Sequence, residues 1–402
     1  MLRATYRVCD RLCEMRLFIV QPGLAGYREP FFVNLAAALE KHWSADLTVI
    51  ASLSFSGKLR GRNEGRSRLQ VTRVHSKELF GGQIVLQDLR WLFRNVSRSD
   101  CIVVNGNPRF IISMLLVLYA RLRGIPTVWW GHGLTAGSHG ISSRIRLLLS
   151  RLAHVLLVYT KHERAMLIER GFDASRTFAT NNAIDQEPIQ RAQERLDPAS
   201  LSQMLRAHGL VHGHYLVFIG RLTQKSGILL ILESLDHLNE SGESMPLVVI
   251  GDGPERSEAE AMAQERGLQV HFVGETYDEE TIAPWMMGAR AFVYGGAVGL
   301  SLMHAFGYGL PAILHDDPLH HMPEYAAFRP NHNGFAFKRD HRTALAKAIQ
   351  KIAALSDEEL GEFRKEARRM VTDEYTLNNM VEQTLLAIDT AINACRKSES
   401  PG

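Results

Sequence analysis

Short apolar runs recur along the chain, each bounded by turn-forming residues, and between them lie stretches whose apolar positions return every three or four residues. In the first half Leu17 to Val20, Leu47 to Ala51, Leu69 to Val74, Cys101 to Val104, Thr127 to Trp130 and Val155 to Tyr159 predict strands. Pro30 to Trp43 predicts an amphipathic helix opened by a proline, and Arg109 to Arg123 a helix stopped by Gly124 and Pro126. Polar residues then dominate from Gln186 to His214 without a strand signal, which marks a domain boundary. Alternation resumes with strands at Tyr215 to Ile219, Leu247 to Ile250, Val270 to Val273, Ala291 to Tyr294 and Ala312 to Leu314. Helical stretches such as Gly227 to Leu238 and Thr343 to Leu355 lie between or after them. Strands alternating with helices predict parallel pairing, hence an α/β chain of doubly wound sheets.

A length of 402 residues suits two such domains better than one core. The expected division is a tail over 1–15, a first domain over 16–190, a second over 191–374, a final helix over 375–395 and a tail over 396–402. Two similar sheets facing each other leave a cleft, a preferred place for a ligand. A net charge of +3 excludes nucleic acid as the main partner. Cys9, Cys13, Cys101 and Cys395 make neither a disulfide framework nor a zinc set, which points to a reduced, cytoplasmic protein. The most apolar helical stretch, Phe110 to Ala120, is too short to span a bilayer, and the first fourteen residues do not read as a secretory signal.

The candidate chemistry falls at strand ends, where open α/β sheets bind ligands. Gly220-Arg221 with Lys225 places two cations after the strand that starts the second domain, suited to a diphosphate that gains charge as it leaves. Gly251, Gly253 and Gly274 follow the next two strands, and Gly299-Leu300-Ser301 opens a helix whose amides can face an anion. Each glycine turn by itself is equally an ordinary strand-to-helix connection. His132 sits in Trp129-Trp130-Gly131-His132-Gly133, where glycines leave the ring uncovered and the tryptophans offer packing or a sugar-stacking face. Gly23, a candidate donor-binding residue, belongs to a first strand-to-helix loop, Gln21 to Pro30, that lacks the full dinucleotide-binding glycine series and reads equally as a loop facing the acceptor or the diphosphate and as a helix entry. Arg144, Arg146 and Arg151 punctuate Ile141 to Leu157, a basic, apolar helix able to lie on anionic lipid or to remain an ordinary solvated surface helix.

Together these residues resemble the retaining GT-B glycosyltransferases of family 4, the glycosyltransferase group 1 type. The resemblance implies two Rossmann-like domains facing a cleft. It implies transfer of a sugar from a nucleotide-diphosphate sugar to a glycan or lipid-linked acceptor with retention, in cell-surface polysaccharide synthesis. It implies no cofactor beyond that substrate, peripheral contact with the inner face of the membrane, and a final helix, here Tyr375 to Ile392, that crosses back to the first domain. By position, His132 lies beside the donor sugar, Arg221 and Lys225 hold the diphosphate, and the turn from Gly299 to Ser301 covers the phosphates. No Asp-x-Asp motif stands at a strand end, so cations are expected in place of a metal. The family's two glutamates, eight positions apart around the Gly-Leu turn, are here Gly296 and His304. Gly296 is expected to leave room at the sugar, and Glu324 in the loop after His320 to supply a substitute carboxylate or stay in solvent. A sugar-nucleotide epimerase and a non-catalytic nucleotide-sugar or glycan-binding protein are the alternative readings.

Overall fold

The computed structural model describes residues 15–53, 69–133 and 141–399. The expected N-terminal tail, apart from Met15, lies outside them, as does the end of the C-terminal tail. The chain forms two compact units, one holding residues up to Thr180 and from Met380 onward, the other Asn181–Asn379.

The first unit runs β1 (Arg16–Gln21), α1 (Glu29–Trp43), β2 (Asp46–Ser52), β3 (Leu69–Val74), β4 (Ser76–Leu79), β5 (Ile84–Gln87), α2 (Arg90–Asn95), β6 (Cys101–Asn105), α3 (Ile111–Arg123), β7 (Thr127–Trp130), α4 (Ile141–Ser150), β8 (Val155–Val158), α5 (Lys161–Glu169) and β9 (Thr177–Ala179). Seven of its strands form one parallel sheet in the order β3-β2-β1-β6-β7-β8-β9. Helices cover both faces of such a sheet, so its central strands are apolar but for Asn105 and Thr127 at strand ends, and β6, β7 and β8 are buried at every position. Gly124 ends α3 in the left-handed region at φ 65°, the stop that its glycine predicts. The antiparallel hairpin of β4 and β5 was not legible, because Ser76-Lys77-Glu78-Leu79 is polar and lies outside the main sheet. The helix expected over Ile141 to Leu157 stops at Ser150, since Val155 onward is a buried strand.

The second unit continues α6 (Glu187–Arg195), α7 (Pro198–Ala207), β10 (Leu216–Ile219), α8 (Ile228–Glu240), β11 (Leu247–Ile250), α9 (Arg256–Glu265), β12 (Val270–Gly274), α10 (Glu279–Gly288), β13 (Ala291–Val293), α11 (Ser301–Gly307), β14 (Ala312–His315), β15 (Gly334–Phe337), α12 (Arg342–Ala353) and α13 (Asp357–Arg369). The last helix, α14 (Leu377–Glu399), starts in this unit and belongs from Met380 onward to the first. The parallel strand order is β12-β11-β10-β13-β14-β15. The polar stretch read as a domain boundary without a strand signal holds α6 and α7, which pack on α10. Gln193 on α6 donates to the Gly307 carbonyl at 3.1 Å, so these residues belong wholly to the second unit and the division falls at Thr180, ten residues before the expected one.

Candidate active site

In the second sheet β10 and β13 are neighbours from which the chain winds off toward opposite edges. Such a switch point leaves a crevice at the strands' C-terminal ends, the usual ligand site of an open α/β sheet. Arg221 and Lys225 both stand exposed in the connection after β10, and neither has an ion pair among the described residues. Lys225 rides on a one-turn helix, Gln224–Ser226, fixed from within: Ser226 Oγ donates to the Thr223 carbonyl at 2.7 Å and accepts from the Thr223 amide at 3.2 Å. Two exposed cations, one just after the strand and one on this turn, have the charge that an anion would meet there.

The glycines beside them approach backbone. A Cβ at Gly251 would lie 1.9 Å from the Gly220 carbonyl oxygen, and one at Gly253 2.2 Å from that of Leu222. The Leu222 amide donates to the Asp252 carbonyl at 2.9 Å, and the Gly251 amide to that of Gly274 at 2.8 Å. Gly220, Gly251, Gly253 and Gly274 therefore join three strand ends into one floor, and this packing alone accounts for the residue type at Gly251 and Gly253.

Gly296 does not leave the expected room. A Cβ there would stand 2.2 Å from the Lys225 carbonyl oxygen, because the loop after β13 lies backbone to backbone on the Lys225 turn. The Gly296 amide donates to Ser226 O at 3.0 Å and the Ala297 amide to Lys225 O at 2.7 Å. The glycine therefore seats the cationic turn. Gly299 follows, with Leu300 as the N-cap residue of α11 and Ser301 as its first residue. Val298 before it is held on both sides: its amide donates to His321 Nδ1 at 3.1 Å and its carbonyl accepts from the Met322 amide at 2.9 Å. His321 in turn stacks between His315, at 3.6 Å, and Tyr325, at 4.0 Å. Burial depresses both histidines, His315 to about 4 and His321 to about 3, so the column is neutral.

Glu324 is not in solvent. It is 4% exposed, takes a 2.5 Å hydrogen bond from Asn182 Nδ2, and has its second oxygen 3.7 Å from where a Cβ on Gly299 would stand. It underlies the Gly-Leu turn and does not fill a gap at Gly296. His304 lies one turn into α11 and meets a carboxylate that the sequence did not single out. Its Nε2 is 2.9 Å from Glu279 Oε1, and Tyr308 OH donates to Glu279 Oε2 at 2.7 Å. Burial and then the Glu279 charge raise the Tyr308 hydroxyl, which keeps it a donor. Asp278 caps α10 and so puts Glu279 in its first turn; from sequence alone Asp278-Glu279-Glu280 reads as an acidic helix start and no more.

In the first unit His132 follows β7, partly exposed. Its Nδ1 is 3.3 Å from Glu163 Oε1 and its ring meets Tyr159 edge-on at 4.8 Å. Glu163 is buried and held in turn by the Tyr159 amide at 3.1 Å. Arg28 lies 4.9 Å over Trp130 and 5.8 Å over Tyr159, completing an aromatic and cationic cluster at the strand ends. Arg28, Tyr159 and Glu163 were not chosen from the sequence, although Thr160-x-x-Glu163 carries the pattern of a helix cap and Thr160 does cap α5. Gly131 and Gly133 do not bare the ring as expected: a Cβ at Gly131 would press on the Gly106 backbone at 3.0 Å, and one at Gly133 on Leu167 at 2.7 Å. Trp129 and Trp130 are both buried, which makes them packing and not a sugar platform. Gly23 is half-buried just past β1. On α4, Arg144 is exposed and Arg146 half-buried near Glu163, while Arg151 just beyond the helix lies 4.9 Å over the Phe172 ring.

Residues 207–370 match the family model for glycosyl transferases group 1, which covers most of the second unit. The chain is 25% identical over 130 residues to 2-deoxystreptamine glucosyltransferase of Streptomyces kanamyceticus, 32% of each chain. It is 27% identical over 208 residues to the glycogen synthase of Halorhodospira halophila, 49% of this chain and 43% of that one. The chain thus spans about a third to under half of the length of these relatives. Among solved structures it superposes on the HepE protein of Anabaena in complex with UDP with a TM-score of 0.70, covering 94% of this chain and 100% of that one at 15% identity. The fold is GT-B, two parallel-sheet Rossmann-like units.

Proposed function

We propose that this chain is a retaining glycosyltransferase that moves a sugar from a nucleoside diphosphate sugar, UDP sugars foremost, to a glycan or lipid-linked acceptor in cell-surface polysaccharide synthesis. The observation that carries the reading is the pair of uncompensated cations, Arg221 and Lys225, on the glycine-built floor at the switch point of the second sheet. As the bond from the anomeric carbon to the phosphate oxygen breaks, the diphosphate gains negative charge, and a guanidinium and an ammonium already in place stabilise it without reorganising. This role needs no metal ion. The UDP in the HepE structure and the glucosyl transfer in the name of the Streptomyces relative support the choice of donor.

His132 is the residue we assign to the sugar. With its Nδ1 proton given to Glu163, Nε2 keeps a lone pair that can accept from a sugar hydroxyl, and Glu163 fixes the ring. Glu279, held by His304 and Tyr308, returns a carboxylate to the neighbourhood of position 304, where we place the ribose hydroxyls. Gly299, Leu300 and Ser301 cover the phosphates, and Glu324 supports that turn from below. Peripheral attachment to the inner face of the membrane fits a lipid-linked acceptor.

A thermal-shift panel of UDP-, GDP-, ADP- and dTDP-sugars tests the reading, because a ligand at about one hundred times its Kd adds about 2.7 kcal/mol to the folded state. The expected result is stabilisation by one of them together with its hydrolysis or transfer. Stabilisation without turnover would favour a non-catalytic nucleotide-sugar binder, a reading that the missing side chain at Gly296 supports. No stabilisation by any of the donors would remove the proposal.

A further inference from the structure

The outward face of α3 in the first unit is apolar and is left exposed among the described residues. Ile111, Leu115, Leu118 and Leu122 recur at spacings of four, three and four residues, the period of one helix face, and all four are exposed, Leu122 at 77%. Every other exposed position of the helix is an arginine, Arg121 or Arg123, and Arg109 precedes its first turn. The stripe is about 16 Å long at the rise of an α-helix. Its inward face, with Leu116, Val117 and Ala120, is fully buried, so the apolar stripe is a second face and not the core-facing one displaced.

The surroundings extend the stripe. The hairpin of β4 and β5 sits against the start of α3, where the Val85 amide donates to the Arg109 carbonyl at 2.7 Å, and it carries Phe80 at its tip, 75% exposed. Beside them a largely apolar cavity of about 470 Å³ is lined by Leu86, Phe93, Ile112 and Leu115, with Lys77 and Arg90 among its cations. The acids of the hairpin and the cavity lining are Glu78, whose carboxylate lies beside Gly82 as the Arg109 guanidinium does, and Asp88, which is paired with Arg90 at 2.7 Å.

We infer that this face of α3, with the Phe80 hairpin, docks the first unit on an anionic lipid bilayer. Aliphatic side chains with arginines at both ends and no uncharged polar group among them match the acyl boundary and phosphates of a membrane surface. The arginine side chains are long enough to keep their guanidiniums among the headgroups while the leucines enter below. The cavity then admits part of one acyl chain, with Lys77 at the headgroup level. A membrane role was expected of α4, but Arg146 there is half-buried and Arg151 beyond it lies over Phe172; around α3 Arg123 likewise lies 5.7 Å over Tyr119, while the exposed Arg109 and Arg121 stand at the two ends of a continuous apolar stripe. The inference does not depend on sugar transfer, so it stands or falls separately from the proposed activity.

Vesicle flotation tests it, with the full chain and phosphatidylcholine vesicles with or without phosphatidylglycerol. Binding is expected only to the anionic vesicles and should weaken as salt rises. The pair Leu118→Glu and Leu122→Glu should weaken it at least tenfold with the far-ultraviolet spectrum unchanged, and Leu122→Glu alone, at a side chain 77% exposed, should weaken it with the melting temperature unchanged as well. Arg121→Gln with Arg123→Gln should also weaken it and flatten the salt dependence. The pair Ile145→Glu and Leu148→Glu on α4 should leave it intact. Absence of wild-type binding, or loss through the α4 pair and not the α3 pair, would overturn the inference. So would a dimer in light scattering that the α3 pair dissolves without any lipid effect, since the face would then belong to a second copy of the chain.

Discussion

Placing at position 296 the carboxylate expected from the resemblance to group 1 enzymes should do harm, because backbone already occupies the space. In Gly296→Glu the new Cβ meets the Lys225 carbonyl oxygen at 2.2 Å and the Lys225 carbonyl carbon at 2.9 Å, both backbone atoms that no rotamer change can move. The loop after β13 must then lift from the Lys225 turn. Overpacking of this kind costs about 1–3 kcal/mol. The bonds from the Gly296 and Ala297 amides to Ser226 and Lys225 are worth about 1 kcal/mol each. With one of them surviving, the second unit should lose about 2–4 kcal/mol, which for a domain of its size lowers the melting temperature by roughly 4–16 °C. Donor binding should weaken with it, because the lifted turn carries Lys225. Gly361→Ala is the matched control: no atom lies within 4 Å of its Cβ position, it is exposed within α13, and the exchange should stabilise by about 0.5–1 kcal/mol. Differential scanning calorimetry with a donor titration reads both effects. An unchanged melting temperature for Gly296→Glu together with tighter donor binding would refute the argument, and would mean that the loop has slack the backbone contacts do not show.

Arg221→Ala should lower turnover about a hundredfold or more while weakening donor binding less than tenfold, since the charge it meets appears only as the bond breaks; equal effects on both would make it a simple binding cation. His132→Ala should abolish transfer yet shift the melting temperature little, because a third of the side chain is already exposed; a large loss of stability with residual transfer would return it to a packing role. Glu279→Gln should raise the Kd of a ribonucleotide donor about tenfold, or about 1.4 kcal/mol, and affect a 2′-deoxyribonucleotide donor much less. An equal loss for both sugars would separate Glu279 from the ribose. Stability should also depend on acid: His315 and His321, held down to about 4 and about 3, ordinarily titrate near 6.5 when unfolded, so the folded state binds fewer protons below that value. Their contribution is complete above about pH 6.5 and is lost as pH falls toward 4. Urea unfolding across that window should show the decline, and a His321→Gln variant a shallower one; coincident slopes would count against the buried column.

The apolar runs by themselves determined much of this protein. Strands buried on both faces must be apolar at nearly every position, so most of the parallel strands and the α/β class could be read from local pattern, with the cations Arg221 and Lys225 at a strand end. Local pattern also hid elements. The polar segment that became α6 and α7 is one-sided, with Ile189, Ala192, Leu201 and Leu205 buried in an otherwise polar stretch, and only packing on α10 makes it part of the second unit. The purpose of individual residues was decided by the tertiary structure. Gly296 is a glycine because the Lys225 backbone, seventy-one residues earlier, occupies the space of its side chain. His304 acquires a carboxylate from Glu279, twenty-five residues away, and Glu324 is buried by Asn182, 142 residues away. A hydrophobic period reports which face of an element is buried. It carries no term for what lies across the crevice, and hydrogen bonds and steric contacts a few ångströms long between distant segments exist only after the sheets have set the strand order.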